Sequence, residues 1–90
     1  MNSLSVRIAG RVQGVAFREY TRRNAVRLGI AGWVRNTADG SVEALIQGDD
    51  EALLAMLAWF KSGSPFSQVV SVSWHEVATS EPFTDFSIRF

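Results

Sequence analysis

Hydrophobic residues recur at every second position in four stretches of the chain, which is the period of a strand with one buried face. The alternating positions are Leu4, Val6, Ile8; Val42, Ala44, Ile46; Val70, Val72, Trp74; and Phe86, Ile88, Phe90. The segment from Ala31 to Asn36 is also rich in strand-forming residues, and the Asp39-Gly40 pair after it favours a hairpin turn. A break at Thr79 to Pro82 separates the last two stretches. The pattern therefore predicts five strands, with a hairpin between the second and the third.

Two longer stretches repeat instead with the period of a helix. Their inward positions are Phe17, Thr21, Ala25, Leu28 in the first and Leu53, Met56, Leu57, Phe60 in the second. Gly29 is placed as the C-cap of the first helix. Asp49 or Asp50 is placed to cap the second, with Glu51 in its first turn complementing the helix dipole. The second helix is expected to end at Ser62-Gly63-Ser64-Pro65.

The order of these elements predicts an α+β fold of the ferredoxin-like βαββαβ type. We expect two helices on one face of a mostly antiparallel sheet, with an extra C-terminal strand. A length of 90 residues fits a single domain, residues 1–90. This architecture hosts binding modules, regulatory domains and enzymes alike, so the fold alone leaves the function open.

The composition excludes several kinds of chemistry. The chain has no cysteine, which rules out a disulfide framework, a thiol nucleophile and a Cys-ligated metal. His75 is the single histidine, so a His-rich zinc site is excluded as well. No apolar run approaches the length of a membrane helix and the N-terminus lacks the features of a secretory signal, which predicts a cytoplasmic protein without a membrane partner.

The formal net charge is zero, but the charges are divided unevenly along the chain. Residues 1–36 contain seven arginines against Glu19 alone, a net charge of +6. Residues 37–90 contain Lys61 and Arg89 against eight carboxylates, a net charge of −6. Because the guanidinium fork suits phosphate and carboxylate, the first part of the chain suggests an anionic ligand.

Two segments carry the candidate chemistry. The first, Gly10 to Arg18, lies between the predicted first strand and first helix, where backbone N–H groups and a helix N-terminus can converge on an anion. The second, Gly32 to Gly48, contains Asn36 at a strand end, and its amide can orient a water molecule. Each segment also has an ordinary interpretation, a tight turn for the first and a hairpin shoulder for the second.

Taken together, the two segments resemble the two signatures of the acylphosphatase family. The stretch Ile8-Ala9-Gly10-Arg11-Val12-Gln13-Gly14-Val15-Ala16-Phe17-Arg18 is similar to the first signature, and Gly32 to Gly48 is similar to the second. The resemblance covers nearly the whole chain in length and order of elements. It implies an enzyme that hydrolyses acyl phosphates to a carboxylate and inorganic phosphate.

The resemblance also implies a role for individual residues. The backbone amides that would wrap the phosphate belong to Gln13, Gly14, Val15, Ala16, Phe17 and Arg18. Arg18 matches the catalytic arginine that holds the phosphoryl group, and Asn36 matches the asparagine that positions the attacking water. The resemblance further implies that no metal and no cofactor take part, and that an oxygen of the substrate's own phosphate takes the proton of the water. Ala16 stands where other members often have glycine or a bulky aromatic residue, and no site residue is assigned from Ser64 onward.

The expected partners are an acyl phosphate as substrate and phosphate or sulfate as a product-like ligand, with the protein acting as a monomer. Two alternatives remain open from the sequence. The fold and the basic first half could bind single-stranded nucleic acid, although Ser41 to Gly48 lacks the aromatic motif of RNA-recognition sheets, and no nucleic acid is expected. The chain could also resemble an acylphosphatase-like domain of a larger carbamoyl-transfer maturation protein.

Overall fold

The computed structural model describes residues 2–78 and 82–90. Its elements are β1 (Asn2–Arg11), α1 (Phe17–Leu28), β2 (Ala31–Asn36), β3 (Val42–Gly48), α2 (Asp50–Ser62), β4 (Gln68–Glu76) and β5 (Phe86–Arg89). The predicted break at Thr79 to Pro82 lies outside the described residues, apart from Pro82. Strand β1 is longer than predicted, because Gly10 and Arg11 still belong to it and the connection to α1 begins only at Val12.

The strands form one sheet in the order β4-β1-β3-β2-β5. Strand β1 pairs antiparallel with β3 and with β4, and β2 pairs antiparallel with β3. Strand β5 is the exception, since it pairs parallel with β2. Both helices pack against one face of this sheet, so the predicted ferredoxin-like α+β architecture is confirmed.

The core lies between the sheet and the helices, at the positions that the hydrophobic pattern predicts. The strand residues Leu4, Val6, Ile8, Val42, Ala44 and Ile46 are buried, as are the α2 residues Leu53, Met56, Leu57 and Phe60. In α1, Phe17, Thr21 and Ala25 are buried, whereas Leu28 is half-buried. Strands β1 and β3 and both helices thus share the same apolar layer.

Strand β4 is the part of the sheet where alternation does not produce burial. Val70 is 81% exposed and Trp74 is 47% exposed. Ser71 is opposite Ala9 and Val69 is opposite Gly10, so Val70 is the extra residue of a β-bulge, and Val69 packs on the core in its place. Gly10 is required at this bulge, since a Cβ there would collide with the backbone oxygen of Gln68.

The helices begin and end near the residues that the sequence predicts, but the expected capping hydrogen bond is not formed among the described residues. Gly29 ends α1 in the left-handed conformation with φ of 72°, as its placement predicts. Asp49 is the N-cap residue of α2, but its side chain makes no capping hydrogen bond in the described structure. Asp50 instead accepts a hydrogen bond of 2.6 Å from Nδ2 of Asn2. Within the described ranges, neither helix has both the length and the hydropathy that spanning a bilayer requires.

Candidate active site

A cavity of about 190 Å3 opens where the β1–α1 connection meets the ends of β2 and β5. Its wall is formed by Val12, Gly14, Ala16, Phe17, Arg18, Glu19, Asn36, Ile88 and Phe90. The two segments singled out in the sequence are therefore neighbours in space. Residues from β5 complete the wall.

The β1–α1 connection has the backbone geometry of an anion-binding loop. Gly14 has φ of 74°, and Ala16 lies in the left-handed region with φ of 58° and ψ of 23°. Left-handed residues alternating with ordinary ones turn successive N–H groups toward one side of the chain, which produces a concave nest of donors. For alanine this conformation costs about 1–2 kcal/mol. A strained non-glycine residue in a cavity wall is typical of a functional loop.

Helix α1 begins at this loop and adds its positive end to the cavity. Its N-cap residue, Ala16, has no side chain that could accept from the first-turn N–H groups, and no side-chain capping bond occurs in the described structure. Phe17 anchors the first turn, because its buried ring packs 5.5 Å from that of Trp59 and 6.3 Å from that of Phe60. The uncapped N–H groups and the dipole make this helix start suitable for an anion.

Glu19 is the acidic residue of the first turn of α1, and its charge is balanced locally. Its two carboxylate oxygens accept hydrogen bonds of 2.7 and 2.8 Å from Arg22 and one of 3.0 Å from Arg23. The bonds from Arg22, followed by those from Arg23, lower the pKa of Glu19 to about 2. Glu19 therefore stays ionised at neutral pH, but its negative charge is offset by two guanidinium groups next to it.

Arg18 is the cation of the cavity wall. Its Nη1 donates a hydrogen bond of 3.2 Å to the backbone oxygen of Arg89, which is 71 residues away in the sequence. Its Cζ lies 4.7 Å from the centroid of the Phe90 ring. Arg18 is half-buried, and one of its five N–H donors is used by Arg89. Donors thus remain for an anion in the cavity.

Asn36 reaches the same cavity from the end of β2. Its Oδ1 is buried and has no hydrogen-bond partner among residues 2–78 and 82–90. A buried acceptor without a partner costs about 1–3 kcal/mol, and such groups are rare in folded proteins. An O–H donor such as water is the kind of group that would satisfy this oxygen.

The turn between β2 and β3 holds Asn36 by a dense set of hydrogen bonds. The amide of Thr37 donates to the oxygen of Ser41 at 2.9 Å, and Oδ1 of Asp39 accepts from Oγ1 of Thr37 and from the amide of Ser41. Oδ2 of Asp39 forms an ion pair of 2.9 Å with Arg7. The hydrogen bonds from Thr37 and then Ser41 lower the pKa of Asp39 to about 2. The turn is thereby fixed immediately after Asn36.

Gln13 connects the loop to this turn. Its Nε2 donates to the backbone oxygens of Thr37 and Ser41, at 2.8 Å in each case. The side chain of Gln13 therefore lies outside the cavity wall and sets the distance between the loop and the strand that carries Asn36. Of the other predicted loop residues, Val15 also lies outside the wall: it packs on the core, and its oxygen accepts from Oγ of Ser64 at 3.3 Å.

The remaining predicted residues, Gly14, Ala16, Phe17, Arg18 and Asn36, all line the cavity. Sequence reasoning missed Glu19, Ile88 and Phe90. For Ile88 and Phe90, the alternation of hydrophobic residues in the last strand predicts that they share one face of the sheet. It does not predict that this face borders the cavity. His75 lies exposed on β4, at the opposite edge of the sheet. The described residues contain no cluster of three or more His, Cys, Asp or Glu suited to a metal ion.

Comparison with known proteins gives a consistent result. The acylphosphatase family model matches residues 4–88. The acylphosphatase of Thiobacillus denitrificans is 57% identical over 76 residues, which are 84% of this chain and 85% of that protein. The crystal structure of the acylphosphatase from Bacillus subtilis superimposes with a TM-score of 0.96 at 40% identity, covering 100% of both chains.

A more distant likeness concerns the fold alone. HypF of T. kodakarensis matches with a TM-score of 0.87 at 23% identity, and the match covers 12% of that longer chain. Three observations point to the same family. They are the cavity between the two signature segments, the family model that spans nearly all of the sequence, and the closely similar relatives. The chain belongs to the acylphosphatase family of enzymes, which hydrolyse acyl phosphates.

Proposed function

We propose that this protein hydrolyses acyl phosphates in the cavity between the β1–α1 loop and Asn36. The phosphoryl group is held by backbone amides of residues 13–18 and by the guanidinium of Arg18, and the attacking water is oriented by Asn36. The observation that carries the proposal is the convergence of three features on one cavity of about 190 Å3. These features are the left-handed loop, the arginine and the unsatisfied amide oxygen.

The chemistry requires positioning and charge stabilisation more than proton transfer to the leaving group. The leaving group is a carboxylate, which departs without help from a general acid. Charge on the equatorial phosphoryl oxygens is stabilised by preorganised donors, as in other phosphoryl transfers. Donors that bind more tightly in the transition state than in the ground state accelerate the reaction. The loop amides and Arg18 supply such donors.

The proton of the attacking water goes to an oxygen of the substrate's own phosphate. Glu19 is the carboxylate in the cavity wall, but a group whose pKa is lowered to about 2 is a weak base at neutral pH. It is also engaged by Arg22 and Arg23. Asn36 cannot accept a full proton, so it orients the water through its amide and leaves the proton to the substrate.

The nucleic-acid alternative is supported less well. Four arginines of the first half are ion-paired in the described structure: Arg7 with Asp39, Arg22 and Arg23 with Glu19, and Arg35 with Glu43. Two of these carboxylates come from the acidic second half of the chain. Much of the positive charge is thus neutralised within the fold, and less is left to replace counterions on a nucleic acid.

The proposal is tested by removing the two side chains that serve different steps. Arg18→Ala and Asn36→Ala should each lower the kcat for benzoyl phosphate by about 100-fold or more, measured as phosphate release in the presence of EDTA. Inhibition by inorganic phosphate should weaken in Arg18→Ala and stay nearly unchanged in Asn36→Ala, because Arg18 holds the phosphoryl group whereas Asn36 acts on the water.

Two residues of α1 provide matched controls. Arg27 and Asn24 bond to each other in the second half of the helix, and neither lines the cavity. Arg27→Ala and Asn24→Ala should therefore keep the wild-type rate. Full activity in both Arg18→Ala and Asn36→Ala would refute the proposed roles, even with the family assignment intact.

A further inference from the structure

The Phe90 side chain contacts the catalytic arginine of the proposed mechanism without being part of the apolar core. Its ring centroid lies 4.7 Å from Cζ of Arg18, and the residue is 99% exposed. It also forms part of the cavity wall. Phe90 lies beyond residues 4–88, which the family model matches.

The location of Phe90 follows from the parallel pairing of β2 and β5. Val34 is opposite Ile88, and Arg35 is opposite Arg89. Asn36 and Phe90 are the next residues along the two chains, and both line the cavity at this end of the strand pair. The same pairing therefore sets the position of the water-orienting amide and of the aromatic ring.

The geometry of the contact suits an arginine that must bind a phosphoryl group. Arginine is a long side chain with several rotatable bonds, and holding it still in advance of binding avoids an entropic cost when the ligand arrives. A ring that contacts Cζ of the guanidinium by its face uses none of the N–H donors, whereas a phosphoryl group binds these donors at the edge of the guanidinium. The Arg89 oxygen uses one donor, at 3.2 Å, and Phe90 uses none.

We propose that Phe90 is a positioning residue, which holds the Arg18 guanidinium by a cation–π contact with its donor edge toward the phosphoryl site. This inference rests on the proposed role of Arg18. It predicts that the ring matters equally for every ligand that presents a phosphoryl group, whatever acyl group is attached. It also predicts that aromatic character, rather than apolar bulk, is the property that counts.

The experiment compares Phe90→Leu and Phe90→Tyr with wild type. KM for benzoyl phosphate, KM for acetyl phosphate and the inhibition constant of inorganic phosphate are measured, together with the melting temperature. Phe90→Leu should raise all three constants by about two- to fivefold, the loss expected for an exposed cation–π contact. Phe90→Tyr should keep all three constants at their wild-type values. The melting temperature should stay constant, because an exposed ring leaves no cavity. Phe66→Leu, at a residue that is 72% exposed and outside the cavity wall, is the matched control.

A double-mutant cycle tests whether the ring acts through Arg18. In the Arg18→Ala background, Phe90→Leu should have no further effect on inhibition by phosphate. The positioning role is overturned by unchanged constants in Phe90→Leu, by an additive effect in the Arg18→Ala background, or by a change confined to benzoyl phosphate, which would mean a contact with the acyl group. Tighter phosphate binding in Phe90→Leu would also overturn it, because the ring would then keep Arg18 away from the phosphoryl group. Failure of the proposed function has a different signature, namely full activity of Arg18→Ala.

Discussion

The two helices pack on the same face of one sheet, and their N-termini are built from opposite kinds of residue. Helix α2 begins with Asp49 in an extended conformation, followed by Asp50 and Glu51 in its first turn. Helix α1 begins after Ala16 in a left-handed conformation, and its second residue is Arg18. The positive end of α2 is thus complemented by carboxylates of the chain itself, whereas the positive end of α1 faces an open cavity.

This difference shows that the same helix electrostatics can serve stability at one site and binding at another. Carboxylates at a helix start stabilise the fold by a few tenths of a kcal/mol to about 1 kcal/mol each. At α1 the first-turn carboxylate is that of Glu19, whose charge is offset by Arg22 and Arg23, and Ala16 adds the cost of its backbone conformation. The unused N–H groups and the positive end of the dipole remain available for an anionic ligand.

The largest expected effect comes from giving α1 the kind of start that α2 has. Ala16→Asp places a carboxylate at the entrance of the nest, where two charges about 5 Å apart repel by roughly 3 kcal/mol at an effective dielectric constant of about 20. We expect kcat/KM for benzoyl phosphate to fall by about 100-fold, measured by phosphate release. The free energy of unfolding should not fall, because aspartate tolerates the left-handed region better than alanine does.

Ala16→Asn is the matched control for this variant, since it has nearly the same shape and tolerance of positive φ but no charge. It should keep kcat/KM within a few-fold of wild type. Equal losses in the two variants would show that the loop excludes the larger side chain because of its size and not because of its negative charge.

An intermediate effect is expected at α2. Asp49→Asn removes one carboxylate from the helix start and should lower the free energy of unfolding by about 0.3–1 kcal/mol, because the interaction with the dipole is lost. Urea unfolding measures this change. Asp85→Asn, an equivalent substitution at an exposed residue outside the helices, should leave the stability nearly constant. Turnover should stay at the wild-type value in both, and a loss of activity in Asp49→Asn would contradict the separation of roles between the helices.

The smallest effect concerns Glu19, the one acidic residue that α1 has in its first turn. Its pKa is lowered to about 2 by Arg22 and Arg23, from an ordinary value of 4.5. A carboxylate with a lowered folded-state pKa contributes stability that is fully present above pH 4.5 and is lost as the pH falls toward 2. Glu19→Gln should therefore be less stable than wild type at neutral pH and equally stable near pH 2.

Urea unfolding of wild type and Glu19→Gln across this pH range measures the convergence, with Glu76→Gln as a control for the loss of one negative charge. A stability difference that is independent of pH would show that Glu19 contributes by packing and not by its ion pairs.

Most of the fold could be predicted because the hydrophobic pattern of each segment agrees with the element that the segment forms. Alternation at Val42, Ala44 and Ile46 predicted a strand with one buried face, and each of these residues is 0% exposed. The same rule gave no warning about Val70, which alternates equally well but lies at 81% exposure. Its exposure follows from the bulge that β4 forms against β1, a long-range pairing that no local pattern encodes.

The candidate site likewise contains residues that local motifs predict and contacts that depend on long-range pairing. Arg18 and Asn36 lie in contiguous motifs, and both line the cavity as expected. Gln13 was predicted to contribute its backbone amide. Its side chain, for which no sequence pattern predicts a partner, bonds to Thr37 and Ser41, a contact that depends on how two distant turns meet. Phe90 had no motif at all. Its place beside Arg18 depends on the parallel pairing of β5 with β2, which appears only after the chain has folded.

The pairing of β5 with β2 determines when the cavity forms during folding. The contact between Arg18 and Arg89 joins residues separated by 71 positions, so the loop between them must close before the cavity wall exists. Contacts of this range are slow to form, since the entropy of closure is lost before the contact compensates for it. The hairpin and the two helices can be complete while the pocket is still open on the β5 side. The complete cavity therefore belongs to the fully paired sheet and not to any of its parts.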